Sequence, residues 1–266
     1  MNIIASFALC SLATLEDLAN RYDTDKALQH GHGYTSAYSM LLDPHHLQFQ
    51  NVTEVGVLTG SSLLMWADYF PNATIWGLDI VMRKEAYART ASEPRIKLLP
   101  VDGRSSPSQL QLLNESMDLV IEDASHGHTD SMQIAATYWP LVKPGGFYII
   151  EDINTGGDAR GKYSYPRDRS GYASIVHNAT GILKKIFHHN EVFFADTLVG
   201  VDSAHSRFVR DQTKKSWMLD QVDHNSHLMV VRKRVPAVAV VSSGESHGRS
   251  EESGREARQG TGSIPH

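Results

Sequence analysis

Residues 119–128 read LVIEDASHGH, so two carboxylates and an imidazole follow directly on an apolar run. Glu122, Asp123 and His126 stand where a buried strand would end, and taking acids out of water there is costly unless they are paired or bind a cation. A second acid pair, Glu151-Asp152, closes the equally apolar FYIIED at 147–152. If the two runs are neighbouring parallel strands, about 4.8 Å apart, Asp123, Glu151 and Asp152 can converge on one point. Three carboxylates without a thiol make a hard, all-oxygen site, suited to Mg2+ that keeps several of its waters. Unpaired, the acids would repel one another, which favours a cation; salt bridges and helix caps are the alternative use of the same residues. His126, with an ordinary pKa of about 6.5, suits a general base near neutrality. His128 is a weaker candidate, and with 14 histidines in the chain imidazole alone decides little.

A second group of residues lies upstream. In EVGVLTGSS, residues 54–62, Gly56 and Gly60 sit where a strand turns into a helix. Glycines there let backbone approach a ligand, and the free N–H groups of the helix start, with Ser61 among them, favour a carboxylate or phosphate. Asp79 ends the next apolar run and can accept both hydroxyls of a ribose. Asp102, in VDG, is placed to accept from an exocyclic adenine amine, and Glu54, an acid inside an apolar strand, would face a cationic amino group. The spacing is not the G-x-G-x-x-G of dinucleotide folds. Together these residues describe S-adenosylmethionine better than a nicotinamide dinucleotide.

Positioning such residues needs an alternation of strands and helices, and residues 50–150 supply one. The pattern predicts strands at 52–57, 74–80, 95–102, 117–123 and 147–152, with helices at 63–70 and 131–142. Pro71 stops the first helix and the Lys-Pro-Gly-Gly turn at 143–146 ends the second. The five strands bring Gly56, Asp79, Asp102, Asp123 and Asp152 to one edge, where open α/β sheets bind ligands. The fold expected is α/β and Rossmann-like, a mostly parallel sheet with helices on both faces. Residues 153–172 are polar, Gly-rich and long for a connection, which reads as a substrate-side lid. Helical spacing resumes at 171–187, and 192–199 and 227–234 read as closing strands. The expected organisation is a helical cap at 1–48, the main domain at 49–235 and a disordered tail at 236–266, whose Ser, Gly, Glu and Arg cannot bury enough surface to fold.

Composition excludes several classes. A formal charge of −5 argues against a polyanion-binding protein, so no nucleic-acid partner is expected. Cys10 is the single cysteine, which rules out an intrachain disulfide or a cysteine zinc site and fits a reducing, cytoplasmic setting. Residues 2–13 are apolar, but no Lys or Arg precedes them and they run on into the helical LEDLANRY. No run reaches the roughly 18 apolar residues of a membrane span, so no membrane partner is expected.

With these residues in hand, the chain resembles the metal-dependent class I methyltransferases that act on macrolide and other glycoside sugars, the mycinamicin and macrocin O-methyltransferase type, with cephalosporin-hydroxylase-like proteins as relatives. The resemblance rests on RYDTDKALQHGHGYTSAYSMLL, EVGVLTGSSLLMWADYFPNATIWGLDI, LVIEDASH and PGGFYIIEDINT, and spans roughly residues 15–155. It implies S-adenosyl-L-methionine as cofactor and Mg2+ on the acids that match the family's D-D-x-S-H and E-D motifs, here Asp123, Glu151 and Asp152. It also implies that His126 takes the proton of the acceptor hydroxyl, and that the acceptor is a small-molecule glycoside. Asp23 to Lys26, His32 to Tyr34, and Tyr38 match the family's T-D-K and H-G-Y-T elements, which look like a cap over the cofactor. Tyr34 and Tyr38, at i and i+4, read equally well as a packing stripe. Two departures bear on substrate: EDINTGG carries Asn154 where the family has a histidine, and the aromatic that follows is missing. A degenerate member that binds without turnover, a nicotinamide-dependent oxidoreductase and a magnesium-dependent hydrolase are the competing readings. A homo-oligomer is possible, but the family's arrangement is not carried over.

Overall fold

A computed structural model of the chain describes residues 13–30, 32–105, 115–153, 178–196, 207–210 and 226–236. Five parallel strands form the heart of an eight-stranded sheet: β1 (Asn51–Val55), β2 (Thr74–Asp79), β3 (Ile96–Pro100), β4 (Met117–Glu122) and β5 (Val142–Ile150). β6 (Glu191–Asp196), β7 (Arg207–Arg210) and β8 (Ser226–Arg232) extend it by antiparallel pairing, giving the order β3-β2-β1-β4-β5-β8-β6-β7. The helices are α1 (Leu15–Tyr22), α2 (Tyr34–Leu42), α3 (Ser61–Tyr69), α4 (Lys84–Thr90), α5 (His128–Tyr138) and α6 (Gly181–His188). All of these elements fall within the compact unit Met1–Val235.

Alternation along the strands sorts the core into two layers. Val52, Leu119, Ile121, Phe147, Ile149 and Val230 join the side chains of α1, α2 and α3 on one face. Val55, Val120, Tyr148, Ile150 and Val231, one step out of phase, meet α5 and α6 on the other. The period of two in strand side chains requires this division, and it makes the sheet the middle of three layers. The Rossmann-like, mostly parallel expectation therefore describes the molecule, with the antiparallel strands confined to one side. α1 begins at Thr14, whose side chain accepts from the Asp17 N–H while Asp17 bonds back to Thr14, so two of the orphan donors at the helix start are satisfied.

Boundaries shifted where local chemistry outweighed pattern. The Lys-Pro-Gly-Gly segment is not a turn between helix and strand but the irregular start of β5. There the register jumps from Met117↔Val142 to Leu119↔Phe147, and Gly145 takes φ +84°. Gly145 and Lys233 exchange backbone bonds across this bulge through Gly146, so Pro144 sits where a missing N–H costs no ladder bond. The second helix runs from 128 to 138 rather than to 142, because Trp139–Leu141 tightens into a 3-10 turn holding Pro140. α4 and β7 were not foreseen: α4 buries only Ala86 and Thr90, too few apolar positions to give a periodic signal. The expected lid and tail lie outside the described residues, apart from Ile153 and Pro236. Among the described residues no helix is long and apolar enough to cross a membrane.

Trp66 of α3, fully buried, is the hub of the aromatic group formed with Tyr38, Tyr69 and Phe70. Trp66→Ala should lower the unfolding free energy by about 3–5 kcal/mol, read as a fall in urea midpoint.

Candidate active site at the carboxyl edge of the sheet

Three acids from three adjacent strands share one face of the sheet and one counter-ion. Glu54 (β1), Asp123 (just past β4) and Glu151 (just past β5) have the same strand parity as Val52, Ile121 and Ile149, the residues facing α1 to α3. Between them lies the Lys26 ammonium, at 2.7 Å from Asp123 Oδ2, 2.6 Å from Glu151 Oε2 and 3.3 Å from Glu54 Oε1. Lys26 is only 1% exposed. Burial alone would push its pKa down, but Asp123, Glu151 and Glu54 outweigh that and hold it well above the ordinary lysine value. Burial pushes Glu54 up to about 7 against the pull of Lys26, and Glu151 rises for the same reason. The loop carrying Lys26 is itself pinned, since the Lys26 carbonyl accepts from the N–H groups of Tyr34 and Thr35 at the start of α2. Glu54 thus faces a cationic amino group, as its burial demanded, and the amine is the chain's own.

The next residue on each strand goes elsewhere. Glu122 points to the α5 side, 1% exposed, where its Oε1 accepts from the Ala124 N–H and its pKa is pushed up to about 7 by burial. Asp152 would point the same way if the strand continued. Instead it adopts φ +55°, and the backbone swings its carboxylate back toward Asp123. Asp123, His126 and Asp152 offer ligand atoms that all lie within 4.8 Å of one another. His126 also has a left-handed backbone, φ +56°. Two non-glycine residues held in that region at one small site is the kind of strain that clusters where function requires it.

The expected three-carboxylate grouping therefore divides. Asp123 and Asp152 come together, while Glu151 is turned to Lys26 and accepts a bond from the Tyr38 hydroxyl. His126, placed at sequence level as a base beside the metal, occupies the third corner of the cluster. Its Nδ1 is buried with no hydrogen-bond partner, and the nearest carboxylate oxygen, Asp152 Oδ2, is 3.7 Å away. A buried, unsatisfied ring nitrogen between two acids fits a site built for a bound cation or a proton in transit. Two carboxylates are a sufficient protein contribution for Mg2+, which keeps its waters readily. Tyr34 donates to Asp152 Oδ1 at 2.7 Å, so both tyrosines of the i, i+4 pair are more than a packing stripe. His128 opens α5.

Beside this cluster the glycine turn borders two adjoining cavities of about 240 and 340 Å3, with Gly56, Asp79 and Ala124 common to both. Gly56, at φ +102°, has no room for a side chain, because a Cβ would lie 1.9 Å from the Asp123 carbonyl oxygen. Gly60, at φ +82°, caps α3. Asp79 Oδ2 accepts from the N–H groups of Val57 and Leu58, which fixes the turn, and Oδ1 accepts from Val81. Ser61 lines the larger cavity and accepts from Arg89, while Ser62 donates to Glu54 at 2.7 Å. Asp102 lines the smaller cavity with Arg104. The forked Arg104 guanidinium holds its carboxylate down at about 2 and reaches on to Asp130.

Sequence reasoning reads Lys26 only as part of a cap over the cofactor and does not single out Arg104. The buried role of Lys26 was legible in principle: three acids of one parity on adjacent strands require a buried cation, and D-T-D-K supplies one. Arg104, two residues past Asp102 in an exposed loop, gave no such signal.

Residues 53–153 match the family described as a methyltransferase domain. The chain is 30% identical over 184 residues to the 8-demethyl-8-alpha-L-rhamnosyl tetracenomycin-C 2'-O-methyltransferase of Streptomyces olivaceus, covering 62% of this chain and 45% of the relative. It is 31% identical over 150 residues to the mycinamicin VI 2''-O-methyltransferase of Micromonospora griseorubida, covering 53% and 36%. The chain thus spans less than half the length of these relatives. Among solved structures, the MycE methyltransferase from the mycinamycin biosynthetic pathway, in complex with Mg and SAH, superposes with a TM-score of 0.57 at 24% identity. That match covers 86% of this chain and 57% of the other, and the likeness is one of fold.

Two outcomes follow from this geometry. Gly56→Ala should cost about 3 kcal/mol or more, seen in thermal melts, because both the positive φ and the Asp123 carbonyl resist a Cβ. Glu122 binds its proton more tightly folded than unfolded, so its contribution favours the fold at low pH and is lost as pH rises through about 7. Glu122→Gln should therefore be more stable than the parent by roughly 1–3 kcal/mol above pH about 8, with the advantage gone below pH about 4, in urea melts across that range.

Proposed function

We propose, for a chain whose residues 53–153 form a methyltransferase domain related to the glycoside O-methyltransferases, that the protein transfers a methyl group from S-adenosyl-L-methionine to a hydroxyl of a sugar or glycosylated small molecule, with Mg2+. The observation that carries this reading is the Asp123–His126–Asp152 cluster lying next to the glycine-turn cavity, with Asp123, Ala124 and His126 lining the cavity wall itself.

In this reading the cofactor occupies the two cavities. Gly56, Gly60 and Ser61 receive its amino-acid end at the start of α3, Asp79 its ribose and Asp102 its adenine, while Glu54 braces the turn through Ser62. Asp123 and Asp152 hold Mg2+, with Glu151 behind them on Lys26. Bound there, the ion would lower the pKa of an acceptor hydroxyl. His126 accepts the hydroxyl proton as the oxygen forms its bond to the methyl carbon and the sulfonium C–S bond breaks, releasing S-adenosylhomocysteine. Asp152, 3.7 Å from Nδ1, steadies the imidazolium that results. Orientation of the two substrates contributes several kcal/mol to such a displacement. The described part of residues 1–48 serves as a cap: Tyr34 and Tyr38 of α2 reach Asp152 and Glu151.

The relatives reported above are all methyltransferases, which leaves the nicotinamide and hydrolase readings without support. The deciding measurement is incubation with S-adenosyl-L-methionine, Mg2+ and a panel of rhamnosylated and macrolide glycosides, followed by mass spectrometry. A product heavier by one methylene, abolished by EDTA and reduced at least about 100-fold by Asp123→Ala or His126→Ala, is expected. Turnover indifferent to both chelation and Asp123→Ala would remove the metal from the mechanism, and cofactor binding without any product would favour a degenerate member.

A further inference from the structure

The metal-binding reading above gives Lys26 a role beyond packing. Its ammonium has three donors, and the structure gives it Asp123, Glu151 and Glu54 as partners. One of these, Asp123, is also a corner of the Asp123–His126–Asp152 cluster. Another, Glu151, is the neighbour of the Asp152 corner and accepts from Lys26 and Tyr38. An ammonium and a divalent ion placed within reach of the same carboxylates compete for them.

We propose that Lys26 is an internal rival cation and a positioning residue: it holds one oxygen each of Asp123 and Glu151, so that a divalent ion must compete with it for these carboxylates and binds reversibly. The fixed position of Lys26 makes this possible. It is 1% exposed, and its carbonyl is tied to the start of α2, so the ammonium cannot retreat into solvent when an ion arrives. Removing it leaves Glu54, Asp123 and Glu151, beside Asp152, without their shared monovalent counter-ion, and the divalent ion is the remaining means of neutralising them.

The inference rests on the metal reading, and the test separates the two. Mn2+ is titrated into the full-length wild type, Lys26→Met and Lys26→Arg, with binding followed by the loss of free Mn2+ signal in electron paramagnetic resonance and folding followed by circular dichroism. Lys26→Met should bind Mn2+ with a Kd lower by about fivefold or more, while Lys26→Arg, which keeps the charge, should stay within about twofold of wild type. A purely structural role would lower the melting temperature and leave the Kd of the folded fraction alone. Unchanged or weaker Mn2+ binding by folded Lys26→Met overturns the proposal while the metal site stands. A wild type that does not bind millimolar Mn2+ overturns both. Should Lys26→Met fail to fold, Lys26→Gln, which retains a hydrogen-bond donor to Glu151, carries the same expectation and the same refutation.

Discussion

One buried ammonium, that of Lys26, makes the carboxyl edge of this sheet possible. β1, β4 and β5 each deliver an acid of the same parity to the same face, and without a cation between them those acids could not ionise together in the interior. Such clusters contribute little net stability, because desolvation of the charges offsets their attraction. Their value lies in specificity. Lys26 draws the loop between α1 and α2 down onto the strand ends, and through it α2 brings Tyr34 and Tyr38 onto Asp152 and Glu151. The amino-terminal helices are thereby part of the site's architecture as well as of the core.

A second constraint separates the Asp123–His126–Asp152 cluster from the ion-paired group around Lys26. Strand alternation would send Asp152 to the far face with Glu122. The left-handed backbone at Asp152 reverses that, and a second left-handed residue, His126, turns the imidazole to meet it. Asp123 is the hinge between the two groups, with one oxygen on Lys26 and the carboxylate within reach of His126 and Asp152. Pattern produces the charged base; two backbone exceptions produce the corner where His126 and Asp152 meet.

The same distinction explains what could be read from the chain alone. The five parallel strands, the helices on both faces and the common edge for Gly56, Asp79, Asp102, Asp123 and the acid pair followed from hydrophobic period and glycine placement, which are local properties of the sequence. The nearness of the two strand ends puts Asp123, Glu151 and Asp152 together; that Asp123 and Glu151 share Lys26, and that a left-handed φ brings Asp152 beside Asp123 and His126, is not visible in strand spacing. Tyr34 and Tyr38 looked like packing because their i, i+4 spacing is common to core stripes; nothing local reveals that their hydroxyls reach acids more than a hundred residues away. The Lys-Pro-Gly-Gly bulge was misread because its partner, Lys233, lies on a strand far along the chain.

The close approach of Gly56 to the Asp123 carbonyl links two things that would otherwise vary independently. The glycine turn beside the cavities and the strand that presents Asp123 meet backbone to backbone, with no side chain to serve as an adjustable spacer. Natural variation and laboratory libraries alike must leave this joint untouched and act from residues farther out, around an unaltered hub.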